Sequence, residues 1–168
     1  GAKVETLDEE GDTALIYASK YNHTDIVRML IKAGADVNIQ YNDSGDTPLM
    51  FASGEGQTEI VEMLLQRGAN VNVQNNLGST ALIEASKYGY TEIVEMLLNK
   101  GADINARDKY GPTALIYASA EGYTEIVRML IEKGANVNYI IRGKTALVVA
   151  TKRGHTEIVR MLIQAGAK

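Results

Sequence analysis

The stretch GSTALIEASKYGYTEIVEMLLNK, residues 78–100, decides the fold. It spells a helix, a tight turn, a second helix and a stop. Thr80 can cap a helix formed by the residues that follow it, with Leu82 and Ala85 facing one side. Gly89 ends that helix, because glycine takes the left-handed backbone without a steric cost. Thr91 is placed to cap the second helix, and Glu92 puts an acid in its first turn, where the macrodipole favours it. Ile93, Val94, Leu97 and Leu98 make an apolar stripe on one face of that helix. Lys100 falls in its last turn and Gly101 is the stop.

The same wording returns along the chain. Gly-Ala pairs begin at Gly1, Gly34, Gly68, Gly101, Gly134 and Gly166, at steps of 33, 34, 33, 33 and 32 residues. Thr13, Thr47, Thr80, Thr113 and Thr145 keep that step, as do Thr24, Thr58, Thr91, Thr124 and Thr156. Periodicity of this kind predicts a repeat array in which each unit buries its apolar face only against its neighbours. Five units are expected, at about 11–44, 45–77, 78–110, 111–142 and 143–168, within one domain over 1–168. Residues 1–10 resemble the terminal loop of a preceding unit.

Thr47-Pro48-Leu49-Met50-Phe51-Ala52, Thr-Ala-Leu in the other units, and the Gly-Ala-Asp-Val-Asn segment at 34–38 together resemble the ankyrin repeat. The resemblance covers the whole chain. It implies an all-α solenoid of stacked helix-turn-helix units with projecting hairpin-like turns, and a concave face of inner helices and turns that binds other proteins. The family's histidine is replaced by Ile16, Met50, Ile83, Ile116 and Val148, so apolar packing is expected where that family has a polar contact. Leu15, Leu49, Leu82, Leu115 and Leu147 are expected in the core. So are the pairs Leu30/Ile31, Leu64/Leu65, Leu97/Leu98, Leu130/Ile131 and Leu162/Ile163. Met29, Met63, Met96, Met129 and Met161 recur beside them and are expected to fill the core.

Composition narrows the function. The net charge of −4 argues against nucleic acid as the partner, since phosphate binding needs a basic face. There is no cysteine, hence no disulfide framework or thiolate metal site. Neither a membrane-length apolar run nor a signal peptide is present in the sequence, and the cytoplasm is the expected compartment. His23 and His155 occupy the same turn position in the first and last units and read as structural. Gly143-Lys144-Thr145 lacks the upstream glycine of a phosphate loop, and Glu59/Glu62 and Glu92/Glu95 read as a solvated face. No catalytic residue, cofactor or metal is expected.

The positions that vary while the framework repeats carry the functional expectation. On each first helix the fifth position and the one four later share a face, giving Tyr17/Tyr21, Phe51/Glu55, Glu84/Tyr88, Tyr117/Glu121 and Val149/Arg153. Asp46, Tyr110, Arg142 and Lys144 adjoin them in the turns, as do Glu9, Glu10 and Asp12. Tyrosine is a stiff amphipathic anchor, and Tyr21, Tyr88 and Tyr110 are expected to be exposed. Tyr17, Phe51 and Tyr117 either share that surface or pack between inner helices. The expected function is a non-catalytic protein-interaction module. It would bind a protein or peptide through Tyr17, Tyr21, Asp46, Phe51, Glu55, Glu84, Tyr88, Tyr110, Tyr117, Glu121, Arg142, Lys144 and Arg153. The chain would be a monomer or associate weakly end to end. Two other readings stay open: an engineered or consensus-like scaffold without a natural partner, and a regulatory segment of a larger protein.

Overall fold

The computed structural model of the chain describes Thr6, residues 13–41 and residues 43–168. Among the described residues there are ten α-helices and no strand. The odd-numbered helices are α1 (Ala14–Lys20), α3 (Pro48–Gly54), α5 (Ala81–Tyr88), α7 (Ala114–Glu121) and α9 (Ala146–Arg153). The even-numbered ones are α2 (Thr24–Lys32), α4 (Thr58–Gln66), α6 (Thr91–Asn99), α8 (Thr124–Glu132) and α10 (Thr156–Gln164). Each odd helix pairs with the even helix after it, and the five pairs stack in chain order. The odd helices form a closely packed inner row. The even helices form a looser outer row, so the stack bends towards the inner row, which becomes its concave side.

The inner helices start as the sequence predicts. The side-chain oxygens of Thr13, Thr47, Thr80, Thr113 and Thr145 accept from the backbone N–H three residues on, at 3.3, 3.2, 3.3, 3.4 and 3.2 Å. The outer helices do not. Thr24, Thr58, Thr91, Thr124 and Thr156 are the first helical residues rather than the caps. The capping position belongs to His23, Gln57, Tyr90, Tyr123 and His155, whose side chains make no capping bond. Three of them, Tyr90, Tyr123 and His155, lay their rings over a glycine of the preceding pair. The Tyr123 ring lies where a Cβ on Gly89 would stand, with ring carbon Cε1 2.6 Å from that point, and Gly89 itself has φ 83°. Glycine is required there twice, by the left-handed turn and by the ring. His155 covers Gly122 in the same way, and its Nε2 lies 3.1 Å from the Ala120 carbonyl oxygen. In the first pair Asn22 takes the left-handed conformation instead, with φ 59°.

The core runs through the stack between the two rows. Leu15, Leu49, Leu82 and Leu115 of the inner helices are buried against Ile60, Leu64, Ile93, Leu97, Ile126 and Leu130 of the outer ones. Ile16, Met50, Ile83 and Ile116, at the position where the family has histidine, are buried too. Ser19, Ser53, Ser86 and Ser119 have no exposed surface and are small enough to let the inner helices approach one another.

Packing changes at the ends, and there the sequence expectation needs correcting. Ile26 is 47% exposed whereas its counterpart Ile60 is 0% exposed; Val148 is 44% exposed whereas its counterpart Ile83 is 1% exposed. Leu147 is only half-buried and Ile163 is exposed, because α9 and α10 have a neighbouring pair on one side only. Leu30 of the first pair is half-buried whereas its counterparts Leu64, Leu97, Leu130 and Leu162 are buried, and Leu98 and Ile131 are half-buried on the outer row. The methionines follow the same rule: Met63, Met96, Met129 and Met161 pack on the core, and Met29 is exposed.

A second set of contacts joins the loops after the outer helices. The Asn38 side-chain oxygen accepts from the backbone N–H of Asn70 at 2.7 Å, and the Asn70 side-chain oxygen accepts from the N–H of Asn72 at 3.0 Å. Asn72 then takes the N–H of Asp103 at 2.7 Å, Asp103 that of Asn105 at 3.0 Å, and Asn105 that of Asn136 at 2.9 Å. Asn136 takes the N–H of Asn138 at 3.0 Å, and Asn138 that of Lys168 at 2.9 Å. An unbroken line of side chain-to-backbone bonds therefore crosses every junction between pairs along this edge.

Burial on both sides makes the middle of the stack its stable part. Leu97→Ala, in the third pair, should lower unfolding free energy by roughly 2–5 kcal/mol through lost transfer energy and a residual cavity. Leu162→Ala, in the fifth pair, should change the main unfolding transition less. Paired denaturant titrations decide it, and equal losses would contradict the expectation.

Candidate functional site

The concave side is built from residues the core does not use. Tyr17, Tyr21, Glu55, Tyr88 and Glu121 are exposed on the inner helices or at their ends, and Phe51, Glu84 and Tyr117 are half-buried there. Tyr110, Arg142 and Lys144 are exposed in the turns, Asp46 is half-buried, and Arg153 is exposed at the end of α9. Tyr21, Tyr88 and Tyr110 thus have the exposure expected of them. Tyr17 shares that surface, and Phe51 and Tyr117 fall between the two readings. Glu9, Glu10 and Asp12 lie outside the described residues.

A hollow of about 270 Å³ opens between α3 and α5. Phe51, Leu77 and Tyr88 supply its apolar walls, Asp46, Glu55 and Glu84 its carboxylates, and Lys87 a cation beside Glu84. Gly54 sits at the position that holds Lys20 and Lys87 in the first and third pairs, and a Cβ there would come within 3.7 Å of the Glu84 Cβ. The missing side chain keeps the hollow open on the α3 side.

Several of these residues also brace the turns. Asp46 accepts from the Ser44 hydroxyl at 2.5 Å and from the Asn75 side-chain amide at 2.7 Å, which reaches it from the next turn. The Ser79 hydroxyl donates to Glu84 at 2.5 Å. Tyr117 donates its hydroxyl to Asp108 at 2.5 Å, while the other Asp108 oxygen takes the backbone N–H groups of Tyr110 and Gly111 at 2.8 and 2.9 Å. Asp46, Glu84 and Tyr117 therefore hold the shape of the surface as well as lying on it.

Lysines stand against the tyrosines, and the sequence reading passed over two of them, Lys20 and Lys87. Lys20 is 5.6 Å from the Tyr21 ring centre, and Lys87 and Lys109 are each 5.0 Å from those of Tyr88 and Tyr110. The signal was in the spacing. Lys20 is three residues from Tyr17 and so shares its helix face, as Lys87 does with Glu84. Burial lowers the Lys87 pKa, but the Tyr88 hydroxyl and the Glu84 carboxylate outweigh it and the net shift is upwards. The fifth turn is a two-residue reversal, with Ile141 and Lys144 exchanging backbone bonds at 2.9 and 2.8 Å and Arg142 at φ 47°. It presents Arg142 and Lys144 together. The carboxylates Glu59, Glu62, Glu92 and Glu95 are exposed on the outer row, and Glu59 pairs with Arg28 at 2.6 Å.

His23 and His155 lie in the first and fifth pairs, four pairs apart in the stack. Among the described residues no three potential metal-ligating side chains gather, and no helix is long and apolar enough to cross a membrane.

Short inner helices, longer outer ones and loops bonded edge to edge at a step near 33 residues define an α-helical repeat solenoid. A family model for ankyrin repeats (3 copies) matches residues 1–75, 40–108, 67–141 and 105–168, which together span the sequence, and the chain belongs to the ankyrin-repeat family. Proteins of that family are generally protein-interaction modules and typically non-catalytic. No curated protein matches the chain.

Tyr117 offers a pH test of the braced turn. Burial, then the hydrogen bond to Asp108 and its negative charge, push the Tyr117 phenol well above its ordinary value of 10.0. Above that pH the unfolded chain releases this proton while the folded chain keeps it, so stability should fall as pH rises beyond about 10. Tyr117→Phe removes the ionising group and should make that fall shallower. Unfolding titrations from pH 9 upward, compared between the two proteins, check it; identical slopes would disprove the contribution of Tyr117.

Proposed function

We propose that the chain is a non-catalytic protein-binding module that receives an extended basic segment of a partner along its concave side. The observation that carries this reading is the hollow between α3 and α5, where three carboxylates stand over an apolar wall. An arginine or lysine side chain suits such a place, its stem against Phe51 and Leu77 and its charge towards Glu55. Tyr21, Tyr88 and Tyr110 would anchor the segment on either side. Arg142, Lys144 and Arg153 in the fifth pair suit an acidic end of the same partner, so binding has a direction. Tyr17, Asp46, Phe51, Glu84, Tyr117 and Glu121 complete the proposed surface. The five units would act as one array over residues 1–168.

Capture of a partner with crosslinking to locate the contact tests the reading. Tyr88→Ala should then weaken binding by ~1–3 kcal/mol, mainly through faster dissociation. Glu55→Lys should slow association and reduce its salt dependence, since that charge steers the encounter. Arg128→Ala on the outer row, which breaks the contacts to Glu125 and Glu157, is the control and should do neither. A control as damaging as Tyr88→Ala, with the fold intact, would place the contact on the outer row and end the proposal.

A further inference from the structure

The Lys20 ammonium stands among three aromatic rings drawn from three parts of the chain. Its Nζ is 5.6 Å from the centre of Tyr21 at the end of α1, 5.6 Å from Tyr41 in the loop before α3, and 5.8 Å from Phe51 in α3. Tyr41 and Phe51 lie 6.3 Å apart and tilted by 59°, and Tyr17 backs Tyr21 at 4.6 Å, so the rings form walls rather than a flat stack. Tyr41 donates its hydroxyl to Asp43 at 3.2 Å, which puts a negative charge at the rim.

Among the described residues Lys20 forms no ion pair and no hydrogen bond. Among the described residues the rings alone hold its charge. An ammonium is compact and strongly hydrated, and it has three N–H donors to satisfy. Ring faces satisfy none of them well. A guanidinium is planar, more weakly hydrated and stacks on aromatic faces, so the same walls suit it better. The chain's own lysine thus marks a cation site while filling it poorly.

We infer that the cage of Tyr21, Tyr41 and Phe51 is an arginine-binding site for a protein partner, held closed in the free chain by Lys20, which swings out when the partner's guanidinium enters. The site lies on the same inner-helix face as the hollow between α3 and α5, and Phe51 lines both. Two cationic side chains of one basic segment could therefore dock on the two sides of Phe51. This rests on the concave-side reading above, but its test needs no protein partner.

The probe is arginine capped at both ends, titrated into the whole chain and followed by NMR, with capped citrulline as the uncharged isostere. Capped arginine should give saturable shifts in the ring signals of Tyr21, Tyr41 and Phe51. The Lys20 side-chain CH₂ signals next to the ammonium should move away from their ring-shifted positions as that side chain leaves. Citrulline should produce neither change. Lys20→Met keeps the stem and removes the competing charge, and should tighten capped-arginine binding by about tenfold, the scale of one cation–π contact. The inference is overturned if capped arginine gives no saturable shift at these rings, if citrulline matches it, or if Lys20→Met binds no better than the unaltered chain. Should Lys20→Met not fold, the displacement of the Lys20 signals in the unaltered chain decides the matter alone. Failure here leaves the concave-side reading standing, while a partner crosslinked to the outer row would remove that reading and leave the cage chemistry untouched.

Discussion

One bond, repeated, keeps the pairs in register: an asparagine side-chain oxygen accepts the backbone N–H of the next loop. It joins Asn38 to Asn70, Asn72 to Asp103, Asn105 to Asn136 and Asn138 to Lys168. Between those steps a short side chain bonds its own loop two residues on, which fixes the loop shape that the next bond requires. Hydrophobic burial supplies most of the attraction between pairs, but burial has no direction and would tolerate sliding. The hydrogen bonds do not. They set the step at which Leu82 meets Leu49 and Leu115, and hence where every concave side chain is displayed.

This division of labour frees the inner face to vary. Core leucines, buried serines and loop asparagines are committed to neighbours in each pair. The side chains at 17, 51, 84, 117 and 149 differ from pair to pair, being Tyr, Phe, Glu, Tyr and Val, although Glu84 and Tyr117 also bond within the turns. Such a surface can change its chemistry from pair to pair without altering the stack. The same economy explains why turn residues serve twice. Asp46, Glu84 and Asp108 hold the projecting loops and add negative charge to the face those loops border.

Much of this was legible in the sequence because the period makes each unit a control for the others. Recurrence of Thr80 and its counterparts identifies the inner caps, and the structure has them there. Thr91 and its counterparts recur just as faithfully, yet they are first helical residues. Recurrence shows that a position matters without showing which bond it makes. The exposure of Tyr21 and Tyr88 could be read from helix spacing, and that of Tyr110 from its place in a turn. The cage around Lys20 could not, because Tyr41 reaches it from a loop and Phe51 from the next pair. Nor could the half-burial of Leu147, whose environment depends on what stands beside α9 rather than on its own unit.

The central claim is that stability passes from pair to pair through these junctions. Hydrogen exchange of the backbone amides tests it most directly, because the N–H groups of Asn70, Asp103, Asn136 and Lys168 are the donors that bridge the pairs. Protection should be highest at Asp103, in the middle of the stack, and decline towards Lys168, with neighbouring junctions opening together. Equal protection at all four amides, or opening at one junction that leaves its neighbours unaffected, would contradict the account.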